Sequence, residues 1–339
     1  MKSKAKNVFW FIFFLLFGLA SLYFTYYKFS LYTLLKTISS ARLLWYIPVL
    51  LATIICHLLR AARWQLLIKA SNTSIKFSSS LLAILIGYFI NFMTPRFGEI
   101  ARCIVVRSTD NVPLEKALGT VFMERFVDVL SLFSLFCIVC IFYFDTLRLL
   151  IIQKIWEPVK NYLYSTNNTF WLFALCGFFI VVLITAVLLW IKYKDGVKSR
   201  FAQVIENFIS GFISIVHLKQ KGLFFIYTVL IWVMYILMTY FWFFSLPETA
   251  HLNVSAALFV VSIAGIARAL PVQAYGMGLY QNAVMHVLVF LGVPTGIGLS
   301  LGTIIYSGQT LFYLISGGAC FMYYLLIMKK NFKRLQSAQ

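Results

Sequence analysis

Long apolar runs, separated by short basic segments, constrain the fold of this sequence more than any other feature. A helix that crosses the hydrocarbon layer of a bilayer needs about 20 predominantly apolar residues. Six stretches reach that length and are predicted to span a membrane: 8–27, 43–68, 117–144, 170–191, 222–245 and 296–328. Charged residues make up 12% of the 339 residues, whereas a soluble domain has about 25%. We therefore expect an all-α polytopic membrane protein in which residues 1–339 form a single transmembrane domain.

Two further apolar regions, 78–107 and 254–292, are each interrupted by a proline and a glycine-containing turn. Proline removes a backbone donor and clashes with the preceding turn, so a helix is expected to break and restart at each interruption. We predict that both regions are re-entrant or broken helical hairpins, each of which enters and leaves the membrane on the same side.

The order of long and broken segments occurs twice along the chain. Residues 43–144 contain a long helix, a hairpin and a long helix, and residues 222–328 contain the same pattern. The N-terminus, the 192–221 segment and the C-terminus are strongly basic, which places all three in the cytoplasm if the hairpins are re-entrant. Inverted repeats whose broken helices meet near the midplane are a common transporter architecture. We predict this architecture, in a bacterial or archaeal cytoplasmic membrane.

The formal net charge of +19 does not indicate nucleic-acid binding. Its lysines and arginines lie in short clusters between apolar runs, as in cytoplasmic loops that face anionic lipid. The 197–217 stretch is amphipathic and is expected to lie along the cytoplasmic surface. The sequence contains no nucleotide-binding G-x-x-x-x-G-K-[ST], no G-x-S-x-G and no histidines at metal-ligand spacing. We expect no enzymatic activity, no cofactor and no metal.

Charged side chains within apolar helices are the strongest functional candidates, because inserting one costs at least about 2.5 kcal/mol. Three of them, Arg96, Glu99 and Arg102, lie at the first interruption. Their spacing allows Glu99 to pair with either arginine on one helix face. Two interpretations stay open: a self-satisfied salt bridge that locks the hairpin, and a lining role in which the N-terminus of the restarted helix attracts an anion.

Glu124 and Asp128 lie one helical turn apart, with Arg125 between them. Two carboxylates at close range cannot both ionise at low cost. Either one is protonated and couples transport to protons, or an arginine of another helix pairs with them. The candidates for that arginine are Arg60, Arg63, Arg96 and Arg102. We favour pairing, which would make Glu124, Arg125 and Asp128 structural charges that clamp their helix to the first hairpin.

Arg60 and Arg63 lie in a predicted membrane helix next to Trp64. Long basic side chains near a helix end can keep an apolar stem in the membrane and a charged head in water. We therefore expect both guanidinium groups to snorkel to the cytoplasmic interface.

The second interruption carries a single charge, Arg268, just before Pro271. No acid lies between Glu248 and the C-terminus, so Arg268 has no local counter-ion. A guanidinium beside a broken helix suits a phosphate, although pairing with an acid of the first repeat is also open. Gln273 and Gln281 add uncharged donors nearby.

Three motifs follow one another along the chain: Asn91-x-x-x-Pro95-x-x-Gly98-Glu99-x-x-Arg102, Glu124-Arg125-x-x-Asp128 and a proline-glycine segment at 271–278. In this order they resemble the lysylphosphatidylglycerol synthase transmembrane (flippase-like) family over nearly the whole chain. The resemblance implies translocation of a lipid between leaflets. The family has an acid where this chain has Gln281. Aminoacylation of lipid is not implied, because the chain ends soon after Met328, without the cytoplasmic transferase domain of full-length members.

The sequence thus favours a flippase that moves an anionic phospholipid headgroup between leaflets. Two alternatives stay open: an accessory protein that binds a lipid-linked sugar or polyprenyl phosphate for envelope glycosylation, and a secondary transporter of a small anion. Membrane lipids are the expected partners, and a second copy of the chain or an envelope-biosynthesis protein would be a further partner. The predicted substrate-binding residues are Arg96, Glu99, Arg102, Arg268, Gln273 and Gln281.

Overall fold

A computed structural model describes residue 16 and residues 20–27, 29–94, 97–144, 213–215, 218–269 and 276–336. Within these ranges the regular structure is helical, with no strand, which confirms the expected all-α membrane protein. Four of the predicted spans coincide with helical segments that are long and apolar enough to cross a membrane: Leu43–Ala70, Leu114–Phe142, Lys221–Phe243 and Thr295–Lys329. The predicted span 170–191 lies outside the described residues, as do most of 8–27 and of the amphipathic stretch 197–217.

Five α-helices follow a helical stretch at 20–26 in the first half of the described chain. They are α1 (Leu31–Ser39), α2 (Tyr46–Ala70), α3 (Phe77–Met93), α4 (Gly98–Asp110) and α5 (Leu114–Phe142). A short 3-10 helix, Leu43–Trp45, leads directly into α2. The two short helices α3 and α4 correspond to the hairpin predicted at 78–107, and they are separated at the proline as expected.

The second half repeats this order of a long helix, two short helices and a long helix. Its elements are α6 (Lys221–Phe243), α7 (Val254–Ala269), α8 (Leu279–Phe290), α9 (Thr295–Phe312), a π-helical turn (Tyr313–Gly317) and α10 (Gly318–Gln336). The inverted orientation of the two repeats stays a prediction.

The described residues fall into two compact units. Residues 1–136 and 207–339 form the first unit, and residues 137–206 form the second. Every contact discussed below lies within the first unit. That the two units make up a single transmembrane domain stays a prediction.

Two glycines allow close contact between the helices of the first hairpin. A Cβ atom on Gly87 would lie 2.9 Å from the carbonyl oxygen of Gly98, and a Cβ atom on Gly98 would collide with the carbonyl oxygen of Gly87. The amide of Gly98, at the start of α4, donates a hydrogen bond to Oδ1 of Asn91 in α3 (2.7 Å). One of the backbone donors expected to attract an anion is therefore occupied by the protein itself.

In the first unit, α2 packs against both α3 and α6. Trp64 of α2 is fully buried, and its indole Nε1 donates a hydrogen bond to Thr120 of α5 (3.1 Å). The face of α2 that carries Arg60, Arg63 and Trp64 thus points into the protein, toward α5.

Candidate ligand-binding cavity

A cavity of about 320 Å³ lies among the helices of both halves. Sites for small ligands typically have volumes of roughly 300–1,000 Å³. Four helices, α2, α4, α5 and α7, supply charged side chains to its lining: Arg60, Glu99, Arg102, Arg125, Asp128 and Arg268. The structure therefore brings most of the charges selected from the sequence to the wall of one cavity.

Glu124 is the centre of a buried ion-pair network beside this cavity. Its side chain is 0% exposed. Its carboxylate oxygens lie 2.8 Å from Nη2 of Arg102, 3.0 Å from Arg125, 3.2 Å from Arg60 and 3.3 Å from Arg63. Because Arg102 comes from α4 and Arg60 and Arg63 come from α2, one carboxylate joins three helices.

Asp128 is the second acid of the network. It lies 2.7 Å from Arg63, 3.4 Å from Arg60 and 3.5 Å from Arg125. The structure therefore has the expected arrangement in which arginines of other helices face the two closely spaced acids. Arg102 ties α5 to the first hairpin, as predicted, and the two arginines of α2 add a second attachment.

The predicted snorkelling of Arg60 and Arg63 is wrong. Their side chains are 4% and 0% exposed, and both face Glu124 and Asp128. Arg60 also donates hydrogen bonds to the hydroxyls of Tyr88 and Tyr235. The two arginines are three residues apart and the two acids are four apart, and each spacing puts both side chains on one face of their helix. These two spacings together were the signal in the sequence for a pairing of α2 with α5.

Of the two interpretations left open for Glu99, the salt bridge with Arg102 is not formed among the described residues. Arg102 pairs with Glu124 instead, and its guanidinium carbon lies 4.7 Å from the ring centroid of Trp64. Glu99 lines the cavity, and no described residue forms an ion pair with it. Arg96, the other predicted partner of Glu99, lies outside the described residues.

Arg268 lines the cavity from the last turn of α7. Its Nη2 donates a hydrogen bond to Oε1 of Gln309, and its guanidinium carbon lies 4.0 Å from the ring centroid of Tyr280. No carboxylate within the described ranges pairs with it, so the alternative of an ion pair with the first repeat is not realised there. Its two contacts orient the guanidinium without neutralising its charge.

Of the two glutamines predicted to bind the substrate, Gln281 lies within the described residues and does not line the cavity. Gln281 is 2% exposed. Its Oε1 accepts a hydrogen bond from the amide of Gly278 (2.8 Å), so it caps the start of α8 instead of contacting a ligand. Gly278 has a φ of 84°, a left-handed conformation that favours glycine. Gln273 lies outside the described residues.

Sequence analysis missed an aromatic cluster at the edge of the cavity. The rings of Tyr88 and Tyr313 stack 4.6 Å apart, and both residues line the cavity. The buried ring of His57 stacks on Phe312 at 5.5 Å. Tyr313 begins the π-helical turn, a local widening of the helix that has no counterpart in hydrophobic periodicity. The spacing of apolar and charged residues in the sequence therefore did not indicate these residues.

The described charges in and directly behind the cavity wall do not cancel. Five arginines (Arg60, Arg63, Arg102, Arg125 and Arg268) and three carboxylates (Glu99, Glu124 and Asp128) leave a formal charge of +2. Charges are costly in a low-dielectric environment unless they are paired. The cavity is therefore electrostatically suited to an anion.

The fold and the cavity define a multi-pass helical membrane protein that encloses a charged site. The profile of the family described as "Lysylphosphatidylglycerol synthase TM region" matches residues 11–317, and the chain belongs to that family. The resemblance seen in the motifs is thus confirmed.

Two archaeal proteins are similar to this chain. A UPF0104 membrane protein of Methanocaldococcus jannaschii is 25% identical over 164 residues, which are 48% of this chain and 43% of the relative. A UPF0104 membrane protein of Pyrococcus horikoshii is 25% identical over 260 residues, which are 72% of this chain and 76% of the relative. The match thus spans less than half the length of the first relative and about three quarters of the second. No solved structure matches the chain.

Proposed function

We propose that this protein is a lipid flippase of a bacterial or archaeal cytoplasmic membrane, and that it moves an anionic phospholipid headgroup between the leaflets. The observation that carries the proposal is Arg268, a cation on the cavity wall whose described polar partner is the neutral Gln309. The family to which the chain belongs supports a role connected with membrane lipids.

Arg268 is oriented for a phosphate. A guanidinium has five N–H donors in a planar fork, and the hydrogen bond to Gln309 uses one side of that fork. The ring of Tyr280 lies against the guanidinium plane and limits its rotation. The donors that remain can bind two phosphate oxygens at once, which gives a stronger contact than a single point charge.

The arginines of the first half differ from Arg268 in their binding partners. Arg60, Arg63 and Arg102 each contact Glu124, so each already has a carboxylate partner in the protein, whereas the described polar partner of Arg268 is neutral. The net positive charge of the network around Glu124 would also attract a phosphate bound at Arg268. The preferred binding position is therefore next to α7, where the guanidinium has donors that no described carboxylate occupies.

The cavity lowers the barrier that a headgroup meets in the bilayer. A charged group at the centre of a lipid bilayer costs several kcal/mol, because it loses its hydration without finding a partner. Inside the cavity the phosphate would face Arg268, while the acyl chains stay in the hydrocarbon. This process requires no covalent chemistry, so the proposed role is transport and not catalysis.

The test is lipid exchange between the leaflets of liposomes that contain the purified protein and a fluorescent lipid. A hydrogen bond to a charged group contributes about 1.5–3 kcal/mol. Loss of that contact in Arg268→Ala is therefore expected to slow the exchange of anionic lipid by about 10- to 150-fold. Arg107→Ala is the matched control, since Arg107 is an exposed arginine at the end of α4 and does not line the cavity.

Two results would contradict the proposal: wild-type protein that accelerates the exchange of no lipid, and exchange that is equally fast in Arg268→Ala and wild type. A zwitterionic lipid tested in parallel reports whether the net charge of the headgroup matters. Equally fast exchange of both lipids would show that the protein recognises a part of the headgroup other than its net charge.

A second candidate is an accessory protein that holds a lipid-linked sugar. Uncharged hydrogen-bonding side chains in the cavity lining favour it, because such groups suit sugar hydroxyls: Tyr88, Asn91, Trp232, Tyr235 and Gln309. Tight binding of a polyprenyl-phosphate sugar by the purified protein, without leaflet exchange, would support this candidate over the flippase.

A further inference from the structure

Apolar residues of α5 and α7 form one edge of the charged cavity. Val129 and Leu132 of α5 and Val261 and Gly265 of α7 all belong to the cavity lining. Val129 is nevertheless 59% exposed. A residue that lines the cavity and is also this exposed lies where the cavity approaches the protein surface.

The surface outside this edge is strongly apolar. Four large residues of α5 are exposed next to it: Phe122, Phe126, Leu130 and Phe133. Because α5 is long and apolar enough to cross a membrane, these side chains would contact lipid hydrocarbon. This edge of the charged cavity therefore faces the bilayer interior and not water.

The closing contact at this edge is small and adjustable. A Cβ atom on Gly265 would lie 2.9 Å from Cδ1 of Leu132, so a leucine methyl group occupies the space left by the missing side chain. Leucine rotamers interconvert rapidly, and a single methyl contact contributes little energy. By contrast, the ion pairs of Glu124 and Asp128 hold α5 firmly one to two turns earlier.

Each of the two helices changes from polar to apolar along the face that lines the cavity. On α7, Val261, Gly265 and Arg268 are spaced four and three residues apart and so share one face. On α5, Asp128 and Leu132 are likewise four residues apart. A ligand that lies along these faces would meet charged groups at one end and apolar groups at the other, which is the pattern of a phospholipid.

We propose that the cleft lined by Val129, Leu132, Val261 and Gly265 is the binding site for an acyl chain of the lipid whose phosphate contacts Arg268. This proposal rests on the proposed function, because it assigns the acyl chain of the same substrate. Outward rotation of the Leu132 side chain opens the cleft. The headgroup then enters the cavity sideways from the membrane while its acyl chain stays between α5 and α7.

The experiment is photolabelling of the purified full-length protein in phosphatidylglycerol liposomes. A small fraction of the lipid carries a diazirine on one acyl chain, and the labelled residues are identified by mass spectrometry. Labelling is expected at Val129, Leu132 and Val261. Excess glycerol 3-phosphate occupies the headgroup position without an acyl chain, and is expected to reduce labelling of the cleft by about threefold or more. Phe225, which is exposed on α6 and lies outside the cavity lining, reports bulk lipid, so its labelling should not change.

A glycine pair provides matched variants. Gly265→Leu fills the cleft and is expected to abolish its labelling, because a Cβ atom at Gly265 already lies 2.9 Å from Leu132. Gly222→Leu is the control, because nothing lies within 4 Å of a Cβ atom at Gly222. A cooperative thermal unfolding transition and unchanged labelling of Phe225 show that Gly265→Leu has folded.

Two outcomes would overturn the acyl-chain site. One is the absence of label from the cleft while Phe225 is labelled. The other is labelling of the cleft that neither glycerol 3-phosphate nor Arg268→Ala reduces. Photolabelling does not require exchange between leaflets, so a protein without flippase activity can still show the site. Failure of the cleft and failure of the proposed function are therefore distinguishable.

Discussion

Replacing Glu124 by glutamine would remove the charge at which four arginines converge. Glutamine has nearly the same shape, so the substitution changes the electrostatics and leaves the packing almost intact. The cluster of Arg60, Arg63, Arg102, Arg125, Glu124 and Asp128 has a formal charge of +2, and the substitution raises it to +3. The arginines would then compete for Asp128 alone.

The expected cost follows from the burial of the network. Removal of one partner from a buried ion pair typically destabilises a protein by about 3–5 kcal/mol, because the other charge stays buried without compensation. Since Glu124 is fully buried and lies within 3.3 Å of four arginines, we expect Glu124→Gln to reach the upper part of that range. At about 2 °C per kcal/mol, the upper part of the range corresponds to a decrease in Tm of about 8–10 °C.

The assay is thermal unfolding of the purified protein in detergent or in lipid nanodiscs. Glu248→Gln is the matched control, because Glu248 is exposed in a short 3-10 turn, and we expect a change of less than about 0.5 kcal/mol there. If Glu124→Gln and Glu248→Gln unfold at the same temperature, the ion pairs do not hold α5 in place. The account of the network given above would then be refuted.

Two other substitutions test the packing of the charges and of the first hairpin. Arg63→Lys keeps the positive charge but loses the guanidinium whose Nη2 contacts both acids and whose Nη1 donates to Thr228. We therefore expect thermal unfolding to show a loss of about 1–3 kcal/mol, and unchanged stability would contradict the importance of these contacts. Gly98→Ala places a methyl group against the backbone of α3 and should cost about 1–3 kcal/mol in the same assay. Gly222→Ala, in open space, should be neutral or slightly stabilising, and equal effects of the two alanines would argue against close packing of the hairpin.

The elements of the fold that depend on local sequence were predictable. Four long helices and both pairs of short helices lie where apolar length and proline interruptions place them. The bilayer explains this success, since it requires each spanning segment to be apolar and to satisfy its own backbone hydrogen bonds. The first hairpin, predicted at 78–107, is found as Phe77–Met93 and Gly98–Asp110.

The pairing of side chains was less predictable, because it depends on which helices are neighbours. Arg60 and Arg63 were assigned to an interface since their helix was judged alone, and only its packing beside α5 shows that they are buried. Gln281 was assigned to the ligand because it adds an uncharged donor near Arg268 in the sequence. Its side chain instead accepts a hydrogen bond from the amide of Gly278, a glycine with positive φ at which the helix restarts. Arg268 was correctly singled out as lacking a nearby acid, while its contacts with Gln309 and Tyr280 required the tertiary structure.

The π-helical turn at Tyr313–Gly317 divides the last long helical segment into two parts that serve different neighbours. Before the turn, Gly298 and Gly302 pack against α8, and at its last residue Gly317 packs against Leu85 and Phe89 of α3. One residue of an α-helix corresponds to a rotation of about 100°. If the same number of residues formed a regular α-helix, the contact surface of α10 would therefore be rotated away from α3. The turn sets the angular phase between two packing surfaces, so we expect a substitution that abolishes the turn to disturb the packing of α10 on α3 even where the helix itself stays intact.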